Sequence, residues 1–167
     1  MVRLPCALII CLLVLSGQFG TDFSTVRFDG VGPVRVGMDL SELNNVLRTS
    51  YSKPSDTDQQ GCFYVKVPGQ TGILLMLLHG HVARVDVDNA STRTTAGVHN
   101  GDSEARAQEL YGKQLQTEPH KYVETGHYLT VLSADGKYGV RFETDKGSIT
   151  RYYAGTKAAI SLVEGCG

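Results

Sequence analysis

Two stretches with a helical spacing of apolar residues are found in this chain, one in each half. The first spans residues 39–47, where Asp39 is placed to cap the helix and Glu42 closes a capping box. The second spans Ser103–Tyr111 and stops at Gly112, a residue type that is common just beyond helix ends. The pattern therefore predicts two short helices.

Short apolar or alternating runs follow each helix and predict strands joined by tight turns. The run Ile73–Leu78 is apolar throughout, which indicates a strand covered on both faces. In the next strand, strict alternation places Val82, Arg84 and Asp86 on one face. The predicted strands are Cys62–Val67, Ile73–Leu78, Val82–Val87, Tyr128–Leu132, Tyr138–Glu143, Ser148–Tyr153 and Ala159–Val163, with a short alternating segment at Phe23–Phe28.

The two halves of the chain resemble each other in sequence. The segment Gly72–Val85 aligns without a gap on Gly139–Tyr152, and Arg84 falls on Arg151. A predicted helix precedes each of these segments. The chain therefore reads as a duplicated unit of one helix and three strands.

Duplication predicts the architecture. Consecutive strands with short turns form antiparallel meanders, and helices must cover one face of the sheet. We expect an α+β fold in which two tandem α-β-β-β repeats, at about residues 33–88 and 97–154, form one curved antiparallel sheet with the helices packed on one face. A C-terminal strand would close the domain, and the second face of the sheet would be open.

The first twenty residues carry the pattern of a secretory signal peptide. Arg3 precedes an apolar run that is too short to span a bilayer, and small residues follow it. Cleavage would release residues 21–167 as a single domain, periplasmic or secreted, without a membrane span. Two alternatives stay open: the run is retained as an anchor, or Cys11 is lipidated.

The cysteines agree with export. Loss of the signal removes Cys6 and Cys11 and leaves Cys62 and Cys166, an even pair suited to an oxidising compartment. We expect a disulfide between them; a redox or metal-binding pair is the alternative, and the lack of CxxC spacing argues against it. Without Arg3, the 16 basic residues become 15 against 17 acidic ones, a net charge of −2, so a nucleic-acid partner is not expected.

Tyrosines and arginines on the predicted strands are the candidate binding residues. Tyrosine is enriched at protein interfaces, although strands also use it to fill cores. Two arginines at equivalent repeat positions could clamp a carboxylate of a partner, and an ordinary solvated face is the alternative. The candidate residues of the open face are Tyr64, Arg84, Tyr128, Tyr138, Arg141, Arg151 and Tyr152.

The sequence predicts neither a metal site nor a catalytic centre. His79 and His81 flank a glycine, with Asp86 or Asp88 as a third ligand to consider, but polar residues are ordinary at such a turn. The histidines more readily indicate a pH-responsive surface. Because the sequence contains no Gly-x-Ser-x-Gly elbow, HExxH motif or phosphate loop, we expect a protein that is not an enzyme and has no cofactor.

The residues that open each helix carry a resemblance to known proteins. They are Gly37, Met38, Leu40, Leu43 and Val46 in the first copy and Gly101, Leu110 and Gly112 in the second. Followed by a β-meander, this pattern resembles the tandem-repeat fold of the β-lactamase-inhibitor protein and of the small outer-membrane assembly lipoproteins of the SmpA/OmlA type. The resemblance implies an exported, non-enzymatic protein that binds another macromolecule through its open sheet face.

The expected function is that of an exported binding module, inhibitory in one version of this hypothesis. Its expected partner is a protein of the cell envelope or the medium, such as a cell-wall or secreted hydrolase. Two alternatives stay open: a lectin-like protein that stacks sugar rings on exposed tyrosines, and a structural accessory of the envelope.

Overall fold

The structure is a computed structural model that describes residues 22–57 and 61–166, so the predicted signal segment lies outside the described residues. These residues form an α+β fold with two sheets and three α-helices. In chain order the elements are β1 (Thr25–Arg27), β2 (Gly30–Val31), β3 (Val34–Arg35), α1 (Leu40–Leu47), β4 (Phe63–Lys66), β5 (Ile73–Leu78), β6 (His81–Val87), β7 (Arg93–Thr94), α2 (Glu104–Tyr111), β8 (Gln116–Pro119), β9 (His127–Leu132), β10 (Tyr138–Asp145), β11 (Ser148–Thr156) and α3 (Lys157–Ile160).

Both predicted helices are present, with the predicted caps. Asp39 caps α1: its side chain accepts a hydrogen bond from the backbone N–H of Glu42 (2.8 Å), and the Glu42 carboxylate accepts one from the backbone N–H of Asp39 (2.9 Å). Ser103 caps α2, and Gly112 ends it. Each helix is short, so its stability depends on packing rather than on propensity alone.

A seven-stranded antiparallel sheet forms the body of the protein. The strand order is β4-β5-β6-β11-β10-β9-β8, and the two central strands pair Val85 with Ala154. One face of this sheet, called here the inner face, carries Leu75, Val85 and Phe142, which are fully buried in one hydrophobic core with residues of α1 and α2. The opposite surface is called here the outer face.

A bulge occurs at the same place in both central hairpins. In the first, Leu77 pairs with Val82 and Met76 with Arg84, so that Ala83 is an extra residue in β6. This extra residue reverses the alternation, because Val82 now joins the buried core while Arg84 points to the outer face. The prediction that Val82 and Arg84 share a face is therefore wrong.

The second hairpin repeats this geometry 67 residues later. Glu143 pairs with Arg151 and Thr144 with Ile149, which leaves Thr150 as the extra residue of β11. The tight turns also agree: both central residues of each have positive φ, with 51° and 81° in the first hairpin and 49° and 79° in the second. The cap residue of each helix also forms an isolated antiparallel β-bridge with its hairpin, and the two bridges match: Asp39 pairs with His81, and Ser103 pairs with Ser148.

The strands β2, β3, β7 and β8 were not predicted from the sequence, whereas β1 lies within the predicted segment Phe23–Phe28. The strands β1, β2, β3 and β7 form a small four-stranded sheet in the order β3-β2-β1-β7, and its residues Val26, Val31 and Val34 are fully buried in the core. The edge strand β8 consists of four exposed residues. Strands of two to four residues are too short to show a period, and β8 has no apolar residue that alternates with polar ones.

The C-terminal segment differs from the prediction. The sequence predicts a strand at Ala159–Val163, whereas the structure has α3 over Lys157–Ile160 and no regular element from Ser161 to Cys166. Thr156 caps this helix by accepting a hydrogen bond from the backbone N–H of Ala159 (3.1 Å). A good cap followed by two alanines favours a helical turn over an extended strand.

The predicted disulfide between Cys62 and Cys166 is confirmed, with the two Cα atoms 5.3 Å apart. It joins the residue before β4 to the end of the described chain. Residues 157–166, called here the C-terminal strap, are therefore held across the sheet at both ends. Among the described residues, no helix has the length and apolar character needed to cross a membrane.

Candidate functional site on the outer sheet face

Five of the seven predicted binding residues lie on the outer face. Their strand registers place them opposite one another: Tyr64 pairs with Met76, Met76 with Arg84, and Tyr128 with Glu143, which pairs with Arg151. The five residues are Tyr64, Arg84, Tyr128, Arg141 and Arg151.

The other two predicted residues have the register of the inner face. Tyr152 pairs with Phe142 and Val87, is fully buried, and donates a hydrogen bond to the carbonyl oxygen of Thr92 (3.1 Å). Tyr138 lies two residues before the core residue Val140 on β10, which gives it the register of the inner face, and it is half-buried. These two tyrosines therefore do not join the others on one open face: Tyr152 directly follows Arg151 in β11, so the two side chains lie on opposite faces.

Arg84 is buried beneath the C-terminal strap and uses all three of its nitrogens. Its Nε donates to Asp86 Oδ1 (2.6 Å), and its Nη2 donates to Asp86 Oδ2 (2.8 Å) and to the Tyr64 hydroxyl (2.7 Å). Its Nη1 donates to the carbonyl oxygens of Ala159 (3.0 Å) and Leu162 (2.7 Å). Arg84 therefore binds the carbonyl oxygen of Ala159 in α3 and that of Leu162, two residues beyond the helix.

Three neighbours complete the contact between the strap and the outer face. The guanidinium carbon of Arg84 lies 4.4 Å from the centre of the Tyr153 ring. Burial and the nearby carboxylate of Asp86 raise the pKa of Tyr64 to about 12. A Cβ on Gly139 would lie 2.7 Å from Cδ1 of Ile160, so glycine is required here for α3 to approach the sheet. The strap thus covers part of the face that the sequence predicts to be open.

A second buried cluster surrounds the carboxylate of Glu143. Its Oε1 accepts hydrogen bonds from Arg151 Nη2 and the Tyr153 hydroxyl, each at 3.1 Å. Its Oε2 accepts from Arg151 Nε (2.9 Å) and His120 Nε2 (3.3 Å). Burial raises the pKa of Glu143, but the hydrogen bonds from Arg151, His120 and Tyr153 outweigh it and lower the pKa below its ordinary value. With four donors, this carboxylate is an ionised structural group.

His120 connects this cluster to a loop above the sheet. Its ring stacks on Tyr128 with the ring centres 4.3 Å apart, and the side chain is only 6% exposed. Its Nδ1 accepts hydrogen bonds from the backbone N–H groups of Tyr122 (3.1 Å) and Val123 (3.2 Å), which leaves Nε2 to donate to Glu143. The histidine therefore fixes the position of the loop that carries Tyr122.

Tyr122 is the most exposed large hydrophobic residue in the part of the chain that the structure describes. Its side chain is 60% exposed, and its hydroxyl is hydrogen-bonded to the Glu164 carboxylate of the strap. The amino group of Lys121 lies 4.9 Å from the Tyr122 ring centre and 3.0 Å from the same carboxylate. Leu162 of the strap is also exposed. A fixed, exposed aromatic side chain has the properties of an interface anchor.

Arg151 is the half-exposed counterpart of Arg84. Its Nε and Nη2 bind Glu143, but its Nη1 has no hydrogen-bond partner among the described residues, and its side chain is 54% exposed. It borders a small cleft on the outer face. The cleft is lined by Gly72, Leu74, Asp86, Val87, Asp88, Arg151, Tyr152 and Tyr153. Such a cleft offers one cation edge, one exposed carboxylate and an apolar wall.

Arg141 is held by its neighbours at the far side of the outer face. Its guanidinium carbon lies 4.2 Å from the centre of the Tyr128 ring, and its Nη2 donates to the exposed Glu118 carboxylate (3.0 Å). Tyr128 itself is 4% exposed. The Tyr128 ring therefore presents no free face to solvent. The outer face is a packed polar layer with an open corner at Arg151.

The histidines of the first hairpin turn do not form a metal site. His79 and His81 are exposed, and the ring nitrogen Nδ1 of His81 lies 3.0 Å from the carbonyl oxygen of His79. Within residues 22–57 and 61–166, no three His, Cys, Asp or Glu side chains come together in a way that could hold a metal ion.

The sequence analysis did not single out His120, Tyr122, Asp86 or Tyr153 as members of one site. His120 and Tyr122 lie in a loop, and their partners are 23 and 42 residues away along the chain. Only the repeat alignment carries a signal, since it marks Arg84 and Arg151 as equivalent.

Comparison with known proteins assigns no family to the chain. No family model matches it, and no curated protein matches it. Among solved structures, the chain is similar to an extracellular protein containing an SCP domain from Bacillus anthracis strain Ames, with a TM-score of 0.44 and 9% sequence identity. The match covers 73% of this chain and 44% of that chain, so this chain spans less than half the length of that protein.

Proposed function

We propose that this protein is an exported, non-enzymatic module that binds a partner protein through the uncovered corner of its outer face. The single observation that carries the proposal is Arg151, a guanidinium held rigidly by Glu143 with one nitrogen exposed and unpaired among the described residues. Arginines fixed in this way are frequent interface hot spots, because little side-chain entropy is lost on binding.

Export is supported by the disulfide and by the signal-like pattern of the first twenty residues. A disulfide between Cys62 and Cys166 persists in an oxidising compartment such as the periplasm or the medium. It also fixes the C-terminal strap, whose Glu164 holds Tyr122. A preformed surface of this kind binds with a smaller entropic cost than a mobile one.

The proposal includes a duplicated origin for the sheet. The two hairpins share their bulge positions, their positive-φ turns and their bridges to the helix caps, all at corresponding places in the chain. Independent hairpins have no physical need to agree in all three features. The duplicated α-β-β-β unit and its resemblance to the inhibitor and lipoprotein repeats are part of this proposal.

The state of the buried carboxylate supports a binding role over a catalytic one. A general base or nucleophile needs a free lone pair directed at a substrate. Glu143 instead accepts four hydrogen bonds from side chains of its own chain, and its lowered pKa keeps it ionised. The cluster therefore positions Arg151 and the loop of Tyr122 and needs no reaction to explain it.

A capture experiment with matched variants tests the proposal. The oxidised protein, the double variant Tyr122→Ser/Arg151→Gln and the control Arg93→Gln would be immobilised and exposed to envelope and culture-medium extracts. Arg93 is exposed and lies on the small sheet, away from the outer face. We expect a protein that the native form and the control retain and the double variant loses, with at least tenfold weaker binding when purified.

The same variants separate the other hypotheses. If the retained protein is a hydrolase, an activity assay shows whether binding inhibits it. A glycan array that gives binding dependent on Tyr122, with no protein captured, would replace the proposal by the lectin-like function. Equal capture by all three proteins would contradict the proposed surface.

A further inference from the structure

The 67-residue offset between the two hairpins relates the two halves of the sheet. It places the cleft beside Arg151 at the position that α3 occupies in the other half. The position of α3 is bounded by Arg84, which binds carbonyl oxygens at its end, and by Gly139 of β10, where a Cβ would lie 2.7 Å from Ile160 Cδ1. The 67-residue offset converts these two residues to Arg151 and Gly72. Both of those residues line the cleft.

The relation follows from the way the two hairpins meet. β6 and β11 pair antiparallel at the centre of the sheet, so the two halves are related by an approximate half-turn about this pair. In one half, the chain leaving β11 turns back over the outer face as α3. In the other half, the chain leaving β6 continues to β7 of the small sheet. In the described segment 88–103, which follows β6, there is no corresponding helix, and the equivalent position is an open cleft.

We propose that this cleft binds the C-terminal end of a short helix of the partner protein, in the way that the Arg84 site binds α3. This inference rests on the proposed binding function. Arg84 Nη1 donates to the carbonyl oxygens of Ala159 in α3 and of Leu162 just beyond it, at 3.0 and 2.7 Å. Arg151 Nη1 is likewise the nitrogen left over when Nε and Nη2 pair with a carboxylate, and the last carbonyl oxygens of a helix are suitable acceptors for it.

Two residues of the cleft differ from their equivalents at the Arg84 site, and these differences define the occupant further. Asp88 stands where the first site has Gly155, and Leu74 stands where it has Arg141. The Asp88 side chain is exposed, and its Oδ1 lies 2.7 Å from where a Cβ on Gly72 would be. The cleft therefore joins a carboxylate to an apolar wall. A helix end with a lysine or arginine in its last turn and an apolar residue beside it is complementary to this surface, and cations are common at helix C-termini.

Stapled helical peptides provide a direct probe. The first is a twelve-residue peptide with alanine and leucine on one face, two lysines in the last turn and a C-terminal amide; the second replaces those lysines by glutamates. Each would be titrated into the intact oxidised ¹⁵N-labelled protein. We expect the lysine peptide to shift the backbone amide signals of Leu74, Asp88, Arg151 and Tyr153, and the glutamate peptide to bind at least tenfold more weakly.

Variants of the cleft decide the outcome. Arg151→Gln should weaken the lysine peptide at least tenfold, and Asp88→Asn should remove most of the preference for lysine over glutamate. Asp88 is exposed, so its variant keeps the test valid if Arg151→Gln fails to fold. The control Arg93→Gln should bind as the native protein does.

Two results would overturn the inference: peptide-induced shifts located elsewhere, or affinities unchanged in both cleft variants. Its failure is distinct from failure of the proposed function. If single variants show that the captured partner needs Tyr122 but not Arg151, the protein is a binding module whose contact lies outside this cleft.

Discussion

Arg84 and Arg151 occupy equivalent positions in the two halves of the sheet, but their surroundings are opposite. The Arg84 side chain is 4% exposed and satisfies the carbonyl end of α3, whereas the Arg151 side chain is 54% exposed and keeps one nitrogen unpaired among the described residues. The same residue type is therefore buried against the strap in one half and half-exposed at the surface in the other. The difference arises from the segment that follows each central strand.

The acidic partners of the two arginines also differ in origin. Arg84 pairs with Asp86 of its own strand, while Arg151 pairs with Glu143 of the neighbouring strand. At the position equivalent to Glu143 the first half has Met76, and at the position equivalent to Asp86 the second half has Tyr153. Each arginine therefore has a carboxylate partner from a different position in its half, which offsets the cost of burying a charge.

Loss of the disulfide should have the largest effect, and it also releases the end of the strap that covers Arg84. For the double variant Cys62→Ser/Cys166→Ser we expect a loss of about 4–5 kcal/mol in the free energy of unfolding, by the chain-entropy model for a loop of this length. The bridge joins residues 104 apart in the sequence. Urea denaturation measures the change. A loss below about 1 kcal/mol would show that the strap is held mainly by Arg84.

Arg84→Met should have the next largest effect. It removes two bonds to the strap and leaves the half-buried Asp86 without its cation, for which we expect a loss of about 3 kcal/mol. Amide hydrogen exchange of residues 157–166 should accelerate at the same time, because α3 loses its bound carbonyl end. The matched control is Arg93→Met, which alters an exposed arginine of the small sheet.

Arg151→Met should cost less than Arg84→Met, although it removes a similar ion pair. We expect a loss of about 1 kcal/mol, since solvent screens the exposed part of the guanidinium and His120 and Tyr153 still bind Glu143. Urea denaturation of both variants under identical conditions measures the difference. Equal losses would contradict the assignment of a structural role to one arginine and a binding role to the other.

The pH dependence at Glu143 should be the smallest effect. Because the pKa of Glu143 is lowered in the folded protein, its contribution to stability is present above the ordinary pKa of 4.5 and is lost as the pH falls through the lowered value. Glu143→Gln should therefore flatten the fall of unfolding free energy with acid, measured by urea denaturation at a series of pH values. Glu118→Gln, an exposed carboxylate on the neighbouring surface, serves as the control. An unchanged acid slope in Glu143→Gln would contradict the pKa assignment.

The helices and main strands could be predicted because their signals are local. The capping box of Asp39 and Glu42 lies within one turn, and the strand Ile73–Leu78 matches its predicted bounds. The cysteine pair could be predicted because Cys62 and Cys166 are the two cysteines outside the signal-like pattern of the first twenty residues. In each case the physical cause is contained in a few neighbouring residues or in a simple count.

The faces of the strands could be predicted only in part. Alternation gave the correct outer face for Tyr64, Arg84 and Arg141, but it failed across the bulge in β6, where Val82 turns into the core. A bulge adds one residue to a strand and reverses the side chains that follow. Neither Ala83 nor Thr150 is a residue type from which a bulge can be predicted.

The sequence by itself determined the helices and main strands, the disulfide pairing and the 67-residue offset that relates Arg84 to Arg151. Only the tertiary structure decided which of these arginines is covered, because that depends on α3 folding back over one half of the sheet. It also decided that Glu143 collects His120, Arg151 and Tyr153 around itself. Burial and charge pairing depend on contacts between segments that are far apart in the chain, and a local sequence pattern does not predict such contacts.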